Sequence, residues 1–265
     1  MSAPIEIDED LCIGCGRCAA DCVGDNLRVE EGLARVRGRC ILCGHCVAVC
    51  PTSAVSIPGY DMADVEDAVP ASETLDAAAL LRAVKSRRSV RSFRAEPVSC
   101  AELEFVLQAG RYTATAKNAQ GCRFIVVQDG LAELKRLVWD GIEELLALPA
   151  DEKPRWAKLY KPFLRDARAG KRDFLFRDAP AVVYVAAERA DDAGLAAQNM
   201  ELMAATLGLG VLFNGYLCRA SEELPAVRTF LETGEKPLQM CLLLGRPAVT
   251  YACTAPRLPG DFVVK

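Results

Sequence analysis

Eight cysteines within the first fifty residues constrain this chain more than anything else in it. Cys12, Cys15, Cys18 and Cys22 read C-x2-C-x2-C-x3-C; Cys40, Cys43, Cys46 and Cys50 repeat the run and end in Pro51. Three thiols spaced two apart can wrap one face of a compact inorganic body from a single tight loop, and thiolates at this spacing hold cubane [4Fe–4S] clusters. Zinc is served by two C-x2-C pairs rather than by triplets with a trailing fourth. Disulfides need an oxidising compartment. Residues 1–10 are acidic rather than basic and then apolar, so no secretory segment is expected. Val23 stands where the second run has Pro51, a position that shapes the turn after the ligand and supplies no ligand itself.

The two runs resemble those of two-cluster bacterial ferredoxins. The resemblance implies a crossed ligand set: Cys12, Cys15, Cys18 and Cys50 on one cluster, Cys40, Cys43, Cys46 and Cys22 on the other. Residues 1–57 are too few to bury a large core, and clusters are the staples a small domain needs. Short strand pieces are expected at 5–7, 33–36 and 54–57, with helical turns at 18–22 and 46–50. His45 lies between two ligands, is expected to face solvent, and is the only histidine in the chain. Ser-His-Asp, Cys-His and His-zinc chemistry are therefore excluded. Cys100, Cys122, Cys218, Cys241 and Cys253 follow no motif and are expected as small buried hydrophobes.

Charge is unevenly spread. Residues 1–57 carry eight acids against five bases, residues 58–76 six acids and no base, and the remainder 22 acids and 27 bases. By charge the whole is no nucleic-acid binder, and no apolar run reaches the length of a bilayer span. A cytoplasmic protein with no membrane partner is expected. Residues 1–57 read as one domain, 58–74 as an acidic linker punctuated by Pro58, Gly59 and Pro70, and 75–265 as a second domain. There Leu75, Ala79, Leu80, Ala83 and Val84 fall at helical spacing. Ser99 and Glu102 spell a capping box, continued by Leu103, Val106 and Leu107. Buried or apolar strands are expected at 123–128, 181–187 and 238–244, and helices at 131–148, 193–207 and 221–231. Gly208 and Gly210 stop the second of these helices; Gly208-x-Gly210 is a helix end and turn, not a dinucleotide fingerprint. The mixture is an α+β domain.

Residues 86–93 read S-R-R-S-V-R-S-F, residues 112–124 Y-T-A-T-A-K-N-A-Q-G-C-R-F, residues 207–215 L-G-L-G-V-L-F-N-G, and residues 257–259 R-L-P. In this order the four stretches resemble the nitroreductase family, and the cysteine runs ahead of them a ferredoxin-fused branch of it. The resemblance implies a nitroreductase-like α+β domain that binds FMN as an intertwined homodimer, each FMN between two chains. It implies FMN contacts from Arg88 and phosphate contacts from Arg87, Arg91 and Arg257, whose guanidinium forks suit a phosphate, with a hydroxyl from Ser89. It implies ring contacts from Thr115, Ala116, Asn118 and Gln120, the last two offering donors and acceptors to the pyrimidine edge. Asn118 would come from the partner chain. It implies further contacts at the ring face from Leu212, Phe213, Asn214 and Gly215. Gly121-Cys122 replaces the family's usual Pro-Trp, and Asn214 stands where some members have an acid.

Clusters move one electron at a time and FMN accepts one or two, so together they convert a one-electron donor into a two-electron reduction. The expected activity is an FMN- and iron–sulfur-dependent oxidoreductase with two [4Fe–4S] clusters. It would take electrons from a ferredoxin-like donor and pass them to a small organic acceptor, nitroaromatic or quinone-like. The alternatives are an NAD(P)H-dependent flavin reductase with the clusters as outlet, and a redox sensor or electron carrier without its own substrate. No catalytic side chain is assigned. Residues 153–177 hold nine bases and two acids among Trp156, Tyr160, Phe163, Phe174 and Phe176. That run reads as a solvated face with aromatics turned to the core, as a cover that stacks on a planar acceptor and attracts an anionic one, or as a dock for the acidic linker.

Overall fold

The structure is a computed structural model and describes residues 5–38 and 40–265. These form two compact units. One holds the chain as far as Asp76 together with Thr115–Ala119; the other holds Ala77–Ala114 and Gln120–Lys265.

The first unit is built twice over. Strands β1 (Glu6–Ile7) and β2 (Leu27–Glu30) flank helix α1 (Arg17–Ala20), while β3 (Leu33–Val36) and β4 (Val55–Ser56) flank α2 (His45–Ala48). The strands pair across the repeats, β1 with β4 and β2 with β3, all antiparallel. The backbone recurs at the same step as Cys12 to Cys40. Gly14 and Leu42 have φ of 63° and 55°, Gly16 and Gly44 of 73° and 76°, Asp25 and Ser53 of 51° and 54°. These left-handed turns curl each cysteine loop tightly; glycine adopts them freely and other residues at a cost. Ile5, Leu27, Ala34, Val55 and Ile57 pack with Cys18 and Cys46 into a small core. Strand β2 lies outside the expected pieces, because L-R-V-E offers only two apolar residues to a period-two pattern. A short helix, α3 (Ala71–Thr74), lies in the exposed acidic stretch.

The second unit is α+β. Its helices are α4 (Ala77–Ser86), α5 (Cys100–Arg111), α6 (Leu131–Ala147), α7 (Lys161–Arg168), α8 (Ala190–Thr206), α9 (Gly215–Glu223) and α10 (Pro225–Phe230). Its strands are β5 (Arg123–Val127), β6 (Ala181–Ala186), β7 (Gly210–Phe213) and β8 (Leu238–Gly245), in the antiparallel order β5-β6-β8-β7. Strand β6 is buried throughout and divides the core by alternation. Val182, Tyr184 and Ala186 pack with Leu134, Val138 and Ile142 of α6. Val183 and Val185 pack with Val106 of α5 and Ala197, Met200 and Ala204 of α8. Among the described residues no helix is long and apolar enough to cross a membrane.

Several expectations are corrected. Strand β5 is at the sheet edge, so most of it is half-exposed rather than buried. The helix expected at 221–231 is two, because Pro225 cannot continue α9 and instead opens α10. Gly208 ends α8 at φ 72°, but Gly210 begins a strand rather than extending the turn. A Cβ on Gly210 would lie 2.4 Å from Val90 Cγ2; glycine lets the 89–90 segment close on β7, where Val90 N–H donates to Val211 O at 3.0 Å. Cys218 and Cys241 are buried and Cys122 is half-buried, whereas Cys100 and Cys253 are exposed. Cys100 opens an amphipathic helix and Cys253 lies in the tail beyond β8.

Candidate functional site

The repeat distributes its cysteines crosswise. Cys12, Cys15, Cys18 and Cys50 line one cavity, and Cys22, Cys40, Cys43 and Cys46 another. Among the described residues no group of three or more His, Cys, Asp or Glu side chains is placed to hold a single metal ion. Backbone amides donate to the sulfurs: Ala34 to Cys12 at 3.4 Å, Asn26 to Cys22 at 3.3 Å, Leu42 to Cys40 at 3.2 Å and Ala54 to Cys50 at 3.2 Å. Burial pushes the Cys18 thiol up and the Cys46 thiol up to about 11, a penalty on the thiolate that a bound cation offsets. Burial also raises Cys50, but amides from Thr52, Ala54 and Val55 and the Thr52 hydroxyl outweigh it, and the net shift is downward. Four sulfurs around a volume, with amides aimed at them, fit a [4Fe–4S] cluster in each cavity. His45 faces solvent and pairs through Nδ1 with Asp21 Oδ2 at 2.9 Å.

In the second unit a cleft of about 480 Å³ is lined by Arg91, Leu159, Tyr160, Phe174, Arg177, Arg219 and the segment 212–216. Its wall is locked from beneath. Tyr160 is fully buried and donates its hydroxyl to Tyr216 O at 2.8 Å; burial pushes that phenol up to about 12. Phe163 stacks on Phe174 with centroids 3.9 Å apart, and Tyr216 meets both edge-on. Asn214 caps α9 by accepting from Leu217 N–H at 3.0 Å and donates its amide to Leu175 O. Gly215 faces open space, since a Cβ there would meet nothing within 4 Å. A planar group could therefore approach the backbone, which fits the flavin role that the resemblance implies for 212–215.

Asn214→Ala removes both the cap and the tie to Leu175. It is expected to destabilise the protein by about 2 kcal/mol, read as a lower midpoint in urea; an unmoved midpoint removes this locking role.

Of the residues singled out from sequence, Arg91, Leu212, Phe213, Asn214 and Gly215 meet at the cleft. Arg87 ion-pairs with buried Glu201 on α8, Nε to Oε2 at 3.3 Å. Arg88 and Ser89 are half-buried outside the cleft lining, and Ser89 bridges to Val211 of β7. Thr115, Ala116 and Asn118 fall in the first unit, where Asn118 Nδ2 donates to Leu42 O at 2.8 Å. Gln120 is exposed at φ 47°, and Arg257 is exposed in the tail. Residues 153–177 divide. Leu159, Tyr160, Phe174 and Arg177 face the cleft, while Lys158, Lys161 and Arg165 are exposed and Arg168 pairs with Asp140 and Glu143. Tyr216 and Arg219 gave no signal in the sequence, since each reads as an ordinary helix residue.

Comparison with known proteins supplies the family. Residues 84–246 match the nitroreductase family, and residues 4–51 the 4Fe-4S dicluster domain. The N-terminal region is 43% identical over 47 residues to one component of an ion-translocating oxidoreductase complex from Methanosarcina acetivorans, over 17% of this chain and 18% of that one. It is 43% identical over 54 residues to a ferredoxin from Pyrobaculum islandicum, over 20% of this chain and 50% of that one. The chain thus spans half or less of the curated relatives it matches. The fold is similar to a nitroreductase from Bacteroides fragilis solved with bound FMN, at TM-score 0.57 and 21% identity over 70% of this chain and 98% of that one. With the match to the nitroreductase profile covering more than half its length, this chain belongs to the nitroreductase family and carries a 4Fe-4S dicluster ferredoxin domain at its N-terminal end.

Proposed function

We propose that this chain is an iron–sulfur flavoprotein oxidoreductase. It receives electrons singly from a ferredoxin-like donor and delivers them in pairs to a small organic acceptor, nitroaromatic or quinone-like. The observation that carries the reading is the coexistence, in one chain, of two four-cysteine cavities and a substrate-sized cleft on a nitroreductase fold. Bound clusters would supply one-electron transfer and bound FMN the conversion to two-electron chemistry.

The chain's own residues do the rest. Each set of four cysteines holds its cluster, and the amides of Ala34, Asn26, Leu42 and Ala54 stabilise negative charge on the sulfurs, which raises the potential. Gly215 opens the backbone to the ring, Arg91 brings a cation to the same cleft, and Tyr216 adds an aromatic side chain to its lining. Such a cleft speaks against an electron carrier with no substrate of its own. Two chains would associate as a homodimer in the cytoplasm, with Arg257 and the exposed apolar tail at Leu258, Phe262 and Val264 available to a partner.

The test is anaerobic. Purified protein is mixed separately with a reduced ferredoxin and with NAD(P)H, and bleaching of the visible flavin absorbance is followed. Bleaching by ferredoxin but not by NAD(P)H is expected; the reverse result moves the electron entry to the flavin and sinks the proposed direction.

A further inference from the structure

The two cysteine loops of the first unit repeat one backbone but meet different surroundings. Each is backed from the same place in its repeat. Gly14 lies against Gly32, and Leu42 O accepts the Tyr60 hydroxyl at 3.1 Å. The loop at Leu42 then takes a second donor: Asn118 Nδ2 reaches the same carbonyl at 2.8 Å. Asn118 belongs to Thr115–Ala119, which falls in this unit although the chain on either side falls in the other. Lys117 and Asn118 hold left-handed backbone, φ 55° and 52°. That conformation is costly for a non-glycine residue and persists where the surroundings hold it to a task. The second loop is thus clasped.

The first loop presents itself to solvent. Ile13 is 65% exposed, Leu11 is 46% exposed, and Cys15 is exposed. Ile13 and Cys15 also line the first cavity, so one apolar patch lies directly over that set of sulfurs. In the second loop Cys43 is half-buried, and Ile41, the counterpart of Ile13, is less exposed at 43% and is not among the residues that line the second cavity. Large apolar side chains grouped in water mark a contact surface. The turn ahead of the patch is fixed: Asp8 Oδ1 accepts from the amides of Asp10 at 2.9 Å and Leu11 at 3.2 Å, and Cys12 N–H donates to Asp8 O at 2.9 Å. It sets the exposed carboxylates of Asp8 and Asp10 beside Leu11, while Glu9 is neutralised by Arg35. The unit as a whole carries fourteen acids and six bases, a field that attracts a cationic partner.

We propose that the first cluster site, that of Cys12, Cys15, Cys18 and Cys50, is the port through which this chain exchanges electrons with a carrier protein, and that the carrier's contact face is apolar at its centre and basic at its rim. The carrier docks on Leu11, Ile13 and Cys15; the site at the clasped loop is the inner of the two. The inference rests on the iron–sulfur part of the reading above and holds whichever way electrons run. The exchange moves one electron and no atom: what the carrier loses the first site gains, or the reverse. Electron-transfer encounters bury little surface, so a patch of this size suffices, and complementary charge sets their rate.

The probe is cytochrome c, a basic one-electron haem protein. The purified full-length protein is reduced with dithionite, freed of the excess and mixed anaerobically with the oxidised probe, and haem reduction is followed by stopped flow. The parent rate is expected to fall as salt rises from about 0.01 to 0.1 M, where the screening length shortens from about 30 to about 10 Å. At low salt Ile13→Lys is expected to slow the reaction about tenfold, and Ile41→Lys, the same change at the equivalent place in the other repeat, less than about twofold. Iron per chain is measured for both and is expected at the parent level. Where Ile13→Lys loses iron, Leu11→Lys, on the same face but outside the cavity lining, is expected to slow the reaction about threefold or more. Equal rates in the Ile13 and Ile41 variants overturn the proposal: if neither is slowed the probe draws its electrons elsewhere, and if both are slowed the two loops serve alike. A parent rate that rises with salt overturns the basic partner. Flavin bleaching by NAD(P)H alone defeats the inward direction of electron flow instead, and the comparison of the two loops still decides the port.

Discussion

A chain carrying Cys50→Ser is expected to purify with about four irons where the parent holds about eight, and the cluster lost is the one bounded by Cys12, Cys15 and Cys18. The effect reaches across the sequence because Cys50 lines the cavity of the first run, not of its own. Cys22→Ser is expected to remove the other cluster for the same reason. Double variants make the assignment sharp. Cys50→Ser with Cys12→Ser loses no more iron than either alone, since both empty one cavity, whereas Cys50→Ser with Cys43→Ser loses both clusters. Non-additivity of this kind is the signature of residues that act as one unit. Iron and sulfide analysis, with the paramagnetic spectrum of the reduced protein, reads the result. If Cys50→Ser spared the cluster at Cys12, Cys15 and Cys18, the crossed assignment would be wrong.

The second large effect belongs to Gly14. A Cβ there would stand 2.1 Å from Gly32 O and 2.8 Å from Gly32 C, both backbone atoms in the turn between β2 and β3, and Gly14 has φ +63°. Neither atom can swing aside as a side chain would. Gly14→Ala is therefore expected to cost about 4 kcal/mol or more, at the extreme of single substitutions, and to leave the cysteine unit unfolded and nearly iron-free. The control lies in the other repeat. Gly44 is also left-handed, φ +76°, but a Cβ there meets nothing within 4 Å, so Gly44→Ala carries only the conformational cost, about 1–2 kcal/mol. Leu42, in the position equivalent to Gly14, tolerates φ 55° already, which isolates the close approach as the cause. Equal iron content in the two variants would show that the approach to Gly32 carries no energetic weight.

What the sequence revealed depended on how local each signal was. The cysteine runs and the Ser99–Glu102 box are local chemistry, and both halves of that box form. Strand β6 and helix α6 were legible because an unbroken apolar run and a helical apolar stripe persist over their full lengths. Strand β7 was hidden because its glycine reads as punctuation, and only the tertiary approach of Val90 shows why it is there. The edge position of β5 depends on strand order, which no single segment encodes. At the cleft, Arg91 and 212–215 were found through motif resemblance. Tyr216 and Arg219 come from a helix whose inner face is buried, and Arg177 reaches the cleft through a turn that no propensity favours. Arg257 and Asn118 were also singled out by motif; Arg257 is not among the residues that line the cleft, and Asn118 belongs to the other unit.

The crosswise pairing of β1 with β4 and of β2 with β3 means that neither repeat contains a hydrogen-bonded strand pair of its own among the described residues. A cut in the turn at Glu31 and Gly32 would yield two peptides, each holding one member of both ladders and part of both cysteine sets. Neither piece could form the cysteine unit in isolation, yet each is the complement of the other. Mixed together, the halves would behave as a split reporter: iron–sulfur absorbance would appear only on their reunion, and its concentration dependence would measure the affinity of one half of the fold for the other.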